Sequence, residues 1–571
     1  MSRASRLLTV ALAAAVAAGC SLAPSGGNGP AAAGSGPAGA SDTPARLSTG
    51  HYVQTETPPF AISDTLRIST AADTGTLDLH SISHANAQWL GRLIFDNLVY
   101  LDDQGRPTPW LAQSWTISPD GLTYVFHLRQ GVTFSDDTPF DAQAVKANLE
   151  HMRDPATKSP LAAAYIAPYA QGRVIDRYTF EARLSRPYAP FLNVLAQSWL
   201  ALISPRQIRE APATIASHPI GSGPFVVASY ERQRGIRLVR RPDYDWAPPF
   251  LHHRGAAYAQ GIDIDFLPEG LIRYVALASG QYDLTIDAPP QNAAAIRADP
   301  ALVLDNRIRT GIVSRGVAFN VARAPFDELA VRQALCLATD RQAIARAVGF
   351  GEYLPKTDFL GAATRDYDAG GQGILARDPA RANRLLDAAG WTGRDPQGFR
   401  TRHGQRLGAD VLVTQAQNLF SVLVALQADA RAIGFDLRIV QLTMPMLTQR
   451  RMAGDYQALA SGVWHTNTPD ALYINYAGAE IASKKRIGQN TSRLQDAELD
   501  RLLEAARAAP DEATRALLYA RAQARLAWLA PAIPLYENHA LSAYRRSLHG
   551  VLYDTSHNTP VLIAAWKGQG A

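Results

Sequence analysis

At 571 residues the chain is too long for one hydrophobic core, so at least two lobes or domains are expected. Its 47% hydrophobic and 19% charged residues are those of a globular protein and exclude global disorder. A net charge of +5, spread without a dense Lys/Arg run, argues against nucleic-acid binding, and two cysteines, Cys20 and Cys336, leave no disulfide framework.

The amino terminus reads as a targeting segment. Arg3 and Arg6 precede an apolar run over residues 7–18, too short to span a bilayer comfortably and laid out as a secretory signal. It ends Ala17-Ala18-Gly19-Cys20, similar to the lipobox of bacterial lipoproteins, in which the cysteine becomes the lipidated first residue. Ordinary signal cleavage, leaving a soluble protein, is the alternative. Residues 1–20 are therefore expected to be a lipoprotein signal peptide with Cys20 as the lipidation site. Residues 21–57 are rich in Gly, Ala, Ser and Pro, cannot bury enough surface to fold, and read as a flexible tether. Lipid and tether together predict an extracytoplasmic protein anchored to the cell membrane.

Folded sequence begins near Ala61, with a short strand over 65–68, then Thr76-Leu77-Asp78-Leu79 and the polar or aromatic residues His84, Asn86 and Trp89. Pro119-Asp120-Gly121 is a turn, and residues 123–129 alternate, with Tyr124, Phe126 and Leu128 on one side, as a half-buried strand does. Gly131 breaks that strand, and Asp141 stands as the N-cap of a helix carrying Val145, Leu149 and Met152. The glycines of Gly221-Ser222-Gly223-Pro224 permit a tight crossover turn, and without a following GxxxxGK they do not read as a phosphate cradle. Residues 262–266 alternate as a strand. Val331, Ala334, Leu335 and Ala338 form a helical stripe beside Arg332, which reads as a structural ion-pair residue, and Cys336 reads as a small buried apolar group. Asp378-Pro379 starts a further helix that Gly390 ends, and a helix over 419–434 followed by a strand over 435–442 makes a βαβ-like unit.

Five or six stretches, in order over about residues 65–540, carry a family pattern. They include Phe95-Asp96-Asn97-Leu98-Val99-Tyr100, Pro109-Trp110-Leu111-Ala112-Gln113-Ser114-Trp115, Phe126-His127-Leu128-Arg129-Gln130-Gly131-Val132, Pro219-Ile220-Gly221-Ser222-Gly223-Pro224-Phe225, Arg332-Gln333-Ala334-Leu335 and Ala532-Ile533-Pro534-Leu535-Tyr536. Together these resemble the family 5 extracytoplasmic solute-binding proteins of ABC importers, which include dipeptide, oligopeptide and nickel-chelate receptors. Asp137 stands where that family usually has Gly, which suggests a slightly different local turn. The resemblance implies an α/β, bilobal periplasmic-binding-protein-like fold of class II, enlarged by an extra subdomain and hinged between the lobes. Lobe I would comprise 58–98, 222–312 and 538–571, with the extra subdomain at 99–221, and lobe II would be 313–537. It further implies a monomer that partners ABC permease subunits, with no cofactor and no catalytic residue.

Motifs for chemistry are absent: there is no HExxH, GxSxG, Walker loop or CxxC. His252-His253 is the one histidine pair, in a Pro-rich loop that reads as exposed rather than liganded, so no metal site is expected. In peptide-binding relatives the loop after a tryptophan supplies an aspartate for the ligand's ammonium, which is costly to bury unpaired. Here that place falls on Thr468, and Asp470 is the nearest acid. Dipeptide receptors also use an arginine in the segment matching Val413-Thr414-Gln415-Ala416-Gln417-Asn418, where this chain has none. Both differences point away from a free dipeptide and toward an oligopeptide, metal chelate or glycoside. Its contacts would be Trp464, His465, Asn467, Thr468, Asp470, Gln415 and Gln417, facing His84, Asn86 and Trp89. Trp464 packing beneath the loop stays open beside ligand stacking. A sensing receptor without a permease and a secreted lipoprotein hydrolase on the same scaffold are the other readings.

Overall fold

The computed structural model describes residues 47, 58 and 64–568 apart from 252, 415–416, 463 and 484–487, and at 250, 417–418 and 464–465 the backbone only. The predicted signal peptide, Cys20 and nearly all of the tether therefore lie outside the described residues.

Two sheets organise the chain. The first has seven strands in the order Leu302–Ile308, His539–Arg545, Leu284–Ile286, Thr65–Thr70, Gly261–Phe266, Gly235–Arg240, Phe225–Glu231. Thr65–Thr70 buries Leu66 and Ile68 and lies parallel to Gly261–Phe266 on one side and Leu284–Ile286 on the other, so three strands end at one edge. The second sheet has five strands: Asp436–Gln441, Gly408–Val413, Ala458–Ala460, Ser314–Phe319, Ala532–Tyr536. Its first two are parallel, from Gly408↔Asp436 to Val413↔Gln441, and are joined by the helix Gln417–Ala432, the expected βαβ unit. Each sheet has its own large apolar core, one containing Leu66, Trp89, Phe126 and Trp199, the other Phe319, Leu335, Leu426 and Leu502. We call the two bodies lobes. A four-stranded antiparallel sheet, Ala112–Ile117, Thr123–Leu128, Thr179–Leu184, Tyr169–Asp176, packs into the first core through Tyr124, Phe126 and Leu128. The helix Ala142–Arg153 follows, capped by Asp141, whose carboxylate accepts from the amides of Gln143 (2.9 Å) and Ala144 (3.1 Å).

The chain passes between the sheets on two neighbouring strands. Leu302–Ile308 and His539–Arg545 are antiparallel partners in the first sheet, and Ser314–Phe319 and Ala532–Tyr536 are antiparallel partners in the second. Residues 309–313 and 537–538 connect them. Two short connectors side by side give a bending axis, the geometry of a hinge.

Four local readings change. Asp137 itself takes φ 62°, the left-handed region that glycine favours, so the turn keeps a glycine-type backbone. Gly221 and Gly223 do not have positive φ. A Cβ on either would run into the backbone of Ile94, so close approach rather than turn torsion requires glycine there. Arg332 is structural but has no ion pair among the described residues: it donates to the carbonyls of Phe326 (2.7 Å) and Leu529 (3.1 Å), and burial lowers its pKa to about 10. His253 is buried, its ring within 3.0 Å of the Ala256 carbonyl, rather than exposed; its neighbour His252 lies outside the described residues.

Candidate functional site

In open α/β sheets ligands gather at the carboxyl ends of parallel strands. At that edge of the first sheet the Thr70 hydroxyl donates to Asp287 Oδ2 (3.3 Å), and Asp287 follows the strand Leu284–Ile286 directly, at φ 59°. Asn86 is fixed there by bonds from its amide to Thr70 Oγ1 (3.2 Å) and the Ala72 carbonyl (3.3 Å). His84 is exposed beside it, its Nδ1 accepting from the backbone N–H of Asn86 at 3.2 Å, with Asp73 and Asp287 the carboxylates whose fields reach it. The structure thus brings His84 and Asn86 together. It does not bring Trp89 with them: the helix Ala87–Ile94 is buried along its whole length and Trp89 lies in the first core.

From the second lobe, the strand Trp464–His465 pairs with Gly311–Ile312, one of the two connectors, in the register Gly311↔His465 and Ile312↔Trp464. That pairing sets the predicted recognition loop on the crossover. The side chains of Trp464, His465 and Gln417, and Gln415 entirely, lie outside the described residues.

Asn467, Thr468 and Asp470 are all buried. The Asn467 amide donates to the Asn193 carbonyl (2.8 Å), and Thr468 Oγ1 accepts from the Asp470 amide (3.2 Å), an ordinary hydroxyl turn. Asn467 and Thr468, with Asn193, Arg365 and Tyr519, border a cavity of about 20 Å³, room for a single water. Asp470 is not free for a ligand ammonium. Arg507 Nε lies 2.8 Å from its Oδ1, and the Tyr188 hydroxyl donates to Oδ2 at 2.9 Å. Burial pushes the carboxyl up, and Arg507 foremost, then Tyr188, oppose it. The guanidinium is held 3.8 Å from the centre of the Tyr473 ring and 4.9 Å from that of Tyr188. With the Ala189 amide donating to the Arg507 carbonyl (2.7 Å), these contacts tie residues 188–193 to 467–507.

Sequence reasoning missed a hairpin near the carboxyl terminus. Leu552–Tyr553 pairs with Pro560–Val561, and the six polar residues of the tip, 554–559, are all buried. The tip is set against the crossover: Thr310 Oγ1 donates to the Ser556 carbonyl and Asn558 Nδ2 to the Ile308 carbonyl, each at 2.6 Å. Asp554 pairs with Arg92 and accepts from the amides of Ser556 and His557. The run Asp554-Thr555-Ser556-His557-Asn558-Thr559 was visible in the sequence, but polarity alone reads as an exposed turn.

The family model of bacterial extracellular solute-binding proteins, family 5 (middle region), matches residues 106–482. The glutathione-binding protein GsiB of Shigella dysenteriae serotype 1 is 26% identical over 501 residues, 86% of this chain and 92% of that protein. The protein of the same name from Escherichia coli O1:K1 is 27% identical over 485 residues, 83% and 89% of the two. Among solved structures, the periplasmic binding protein DppA of Helicobacter pylori, in complex with the peptide STSA, superposes with a TM-score of 0.73 at 24% identity, covering 89% of this chain and 98% of that one. NikA of Brucella suis, in complex with Fe(III)-EDTA, gives 0.77 at 23% identity, covering 89% and 100%.

Proposed function

Because the chain belongs to the family 5 bacterial extracellular solute-binding proteins, the receptors of ABC importers, we propose that it captures a small polar solute between its lobes and delivers it to an ABC permease. The observation that carries this reading is the pairing of Trp464–His465 with the connector Gly311–Ile312. A recognition loop hydrogen-bonded to the connector moves with it, so occupancy and closure are coupled. Closure is favoured only by a solute that binds the closed form better, which requires contact with both lobes. The strand edge bearing His84 and Asn86 supplies one wall, and the loop 464–468 the other. Glutathione and short peptides are the first candidates, since the relatives carry the name glutathione-binding, and metal chelates are the second. The lipid on Cys20 and the tether 21–57 hold the receptor, as a monomer, at the extracytoplasmic membrane face. No helix among the described residues is long and apolar enough to cross a membrane.

The test is native mass spectrometry of the detergent-purified full chain, followed by thermal-shift titration with any co-purified mass and with glutathione, peptides and Ni(II)-histidine. One bound solute returned unchanged, stabilising by about 2.7 kcal/mol at a hundredfold Kd, is expected. A solute that is chemically turned over, or no stabilisation by any solute, refutes the reading.

A further inference from the structure

Several buried polar atoms around the hairpin tip have no hydrogen-bond partner among the described residues: Ser556 Oγ, both ring nitrogens of His557, Asn558 Oδ1, Thr559 Oγ1, Trp199 Nε1 and Arg309 Nε. All six residues are at most 9% exposed. Native interiors leave few such atoms, and each costs more than an ordinary contact returns, so a concentration of them implies a guest. They are neighbours. The His557 ring meets Trp199 edge to face at 5.7 Å, Arg309 lies between Ile308 and Thr310, which the tip contacts directly, and its field reaches His557.

The chemistry of the guest follows from the inventory. Trp199 Nε1 and Arg309 Nε only donate, Asn558 Oδ1 only accepts, the two hydroxyls donate or accept, and a neutral imidazole offers one of each, so obligate donors still exceed obligate acceptors. His557 is held neutral by burial first, then by Arg92 and Arg309. Charge is unbalanced as well. Arg92 is matched by Asp554, whereas the carboxylate facing Arg309, Asp287, stands 3.9 Å away, beyond hydrogen-bond range. Water would fill the hydrogen bonds and leave the cation with only the distant Asp287 to offset it, whereas a carboxylate does both.

We infer that the tip 554–559, with Arg309 and Trp199, is the subsite for a carboxylate of the imported solute, so that this receptor selects acidic solutes. The inference rests on the importer-receptor reading. It also supplies at the crossover the cation that is missing from 413–418.

The experiment is calorimetric titration of the detergent-purified full chain with matched pairs: glutathione and its diethyl ester, trialanine and its C-terminal amide, galacturonate and galactose. Each acid that binds is expected to bind at least tenfold more tightly than its neutral twin. Arg309→Gln should abolish that preference. Thr559→Val, which removes only one hydroxyl, should weaken the acid at least threefold and serves if Arg309→Gln does not fold. Equal binding of acid and twin, tighter binding of a neutral twin, or full preference retained in both variants overturns the carboxylate subsite while leaving the receptor intact. No binding by any acid, neutral twin or co-purified solute counts against the importer reading itself.

Discussion

Asp470→Asn isolates a buried charge that the structure assigns to fold and closure rather than to ligand. Asp470 is fully buried and Arg507 is 7% exposed, with 2.8 Å between Nε and Oδ1. The amide keeps the carboxylate's shape and one oxygen to accept from Tyr188 or Arg507, but it strands the guanidinium among Tyr188 and Tyr473. Removing one partner of a buried pair costs about 3–5 kcal/mol. The retained acceptor returns about 1 kcal/mol, which leaves a loss of roughly 2–4 kcal/mol. Urea unfolding followed by tryptophan fluorescence reads this as a lower midpoint. A cycle with Arg507→Met should then show coupling of at least about 1 kcal/mol, because Met leaves no cation to strand. Tyr188 belongs to the first core and Tyr473 to the second, so the ligand-free radius of gyration in solution scattering should also grow. A midpoint within about 0.5 kcal/mol of the parent, the range of ordinary surface substitutions, or additive single effects, would refute the assignment.

Acid should weaken the fold before carboxylates titrate. Burial, with a smaller contribution from His151 and against Asp78, lowers His80 to about 4, and burial lowers His539 to about 3. Both folded values lie below the unfolded one near 6.5, so this stabilisation is complete above pH 6.5 and is lost as pH falls toward the folded values. The slope approaches about 1.4 kcal/mol per pH unit for each group, so urea midpoints should fall from pH 7.0 to 5.0 and His539→Gln should flatten the fall; a flat parent profile would sink this account. Asp137→Gly should stabilise slightly, by about 0.5 kcal/mol, since relief of the left-handed aspartate outweighs the added unfolded-state freedom; a thermal midpoint that drops instead contradicts it. Gly223→Ala should cost about 1–3 kcal/mol or more, because the Ile94 backbone has no rotamer with which to yield; an unchanged midpoint would show that the close approach relaxes.

What was legible in the sequence was local. The alternation over 123–129 and the Asp141 cap depend on residues a few positions apart, and the strand Thr123–Leu128 and helix Ala142–Arg153 appear where expected. The site is built from distant positions. Thr70 meets Asp287 across 217 residues and Tyr188 meets Asp470 across 282, and no periodicity encodes such pairings. The loop 464–470 could be found, but not what Asp470 was doing, because its partner Arg507 lies on the helix Ala497–Ala508, whose leucine stripe gave no hint of a buried cation. The same limit affected the ligand's charge. The lack of arginine at 413–418 said nothing about Arg309, because only the folded chain sets the connector beside the hairpin tip.

The placement of these two charged groups bears on how closure responds to a solute. The Tyr188–Asp470–Arg507 contacts join the lobes through protein groups alone, and a tie of large net strength would hold the lobes together whatever the solute and leave it nothing to shift. The Asp470–Arg507 pair lies within the second lobe, and what crosses to it is the neutral Tyr188 side chain, whose hydrogen bond contributes about 1 kcal/mol net, so the tie adds little bias. It fixes the geometry of the closed state more than its population. Arg309 is the converse: a buried guanidinium whose nearest carboxylate stands off at 3.9 Å is costly to keep between the lobes, and under the proposed subsite a solute carboxylate offsets that cost. A specific tie with small net bias, beside an unmet charge at the hinge, makes closure depend on the solute.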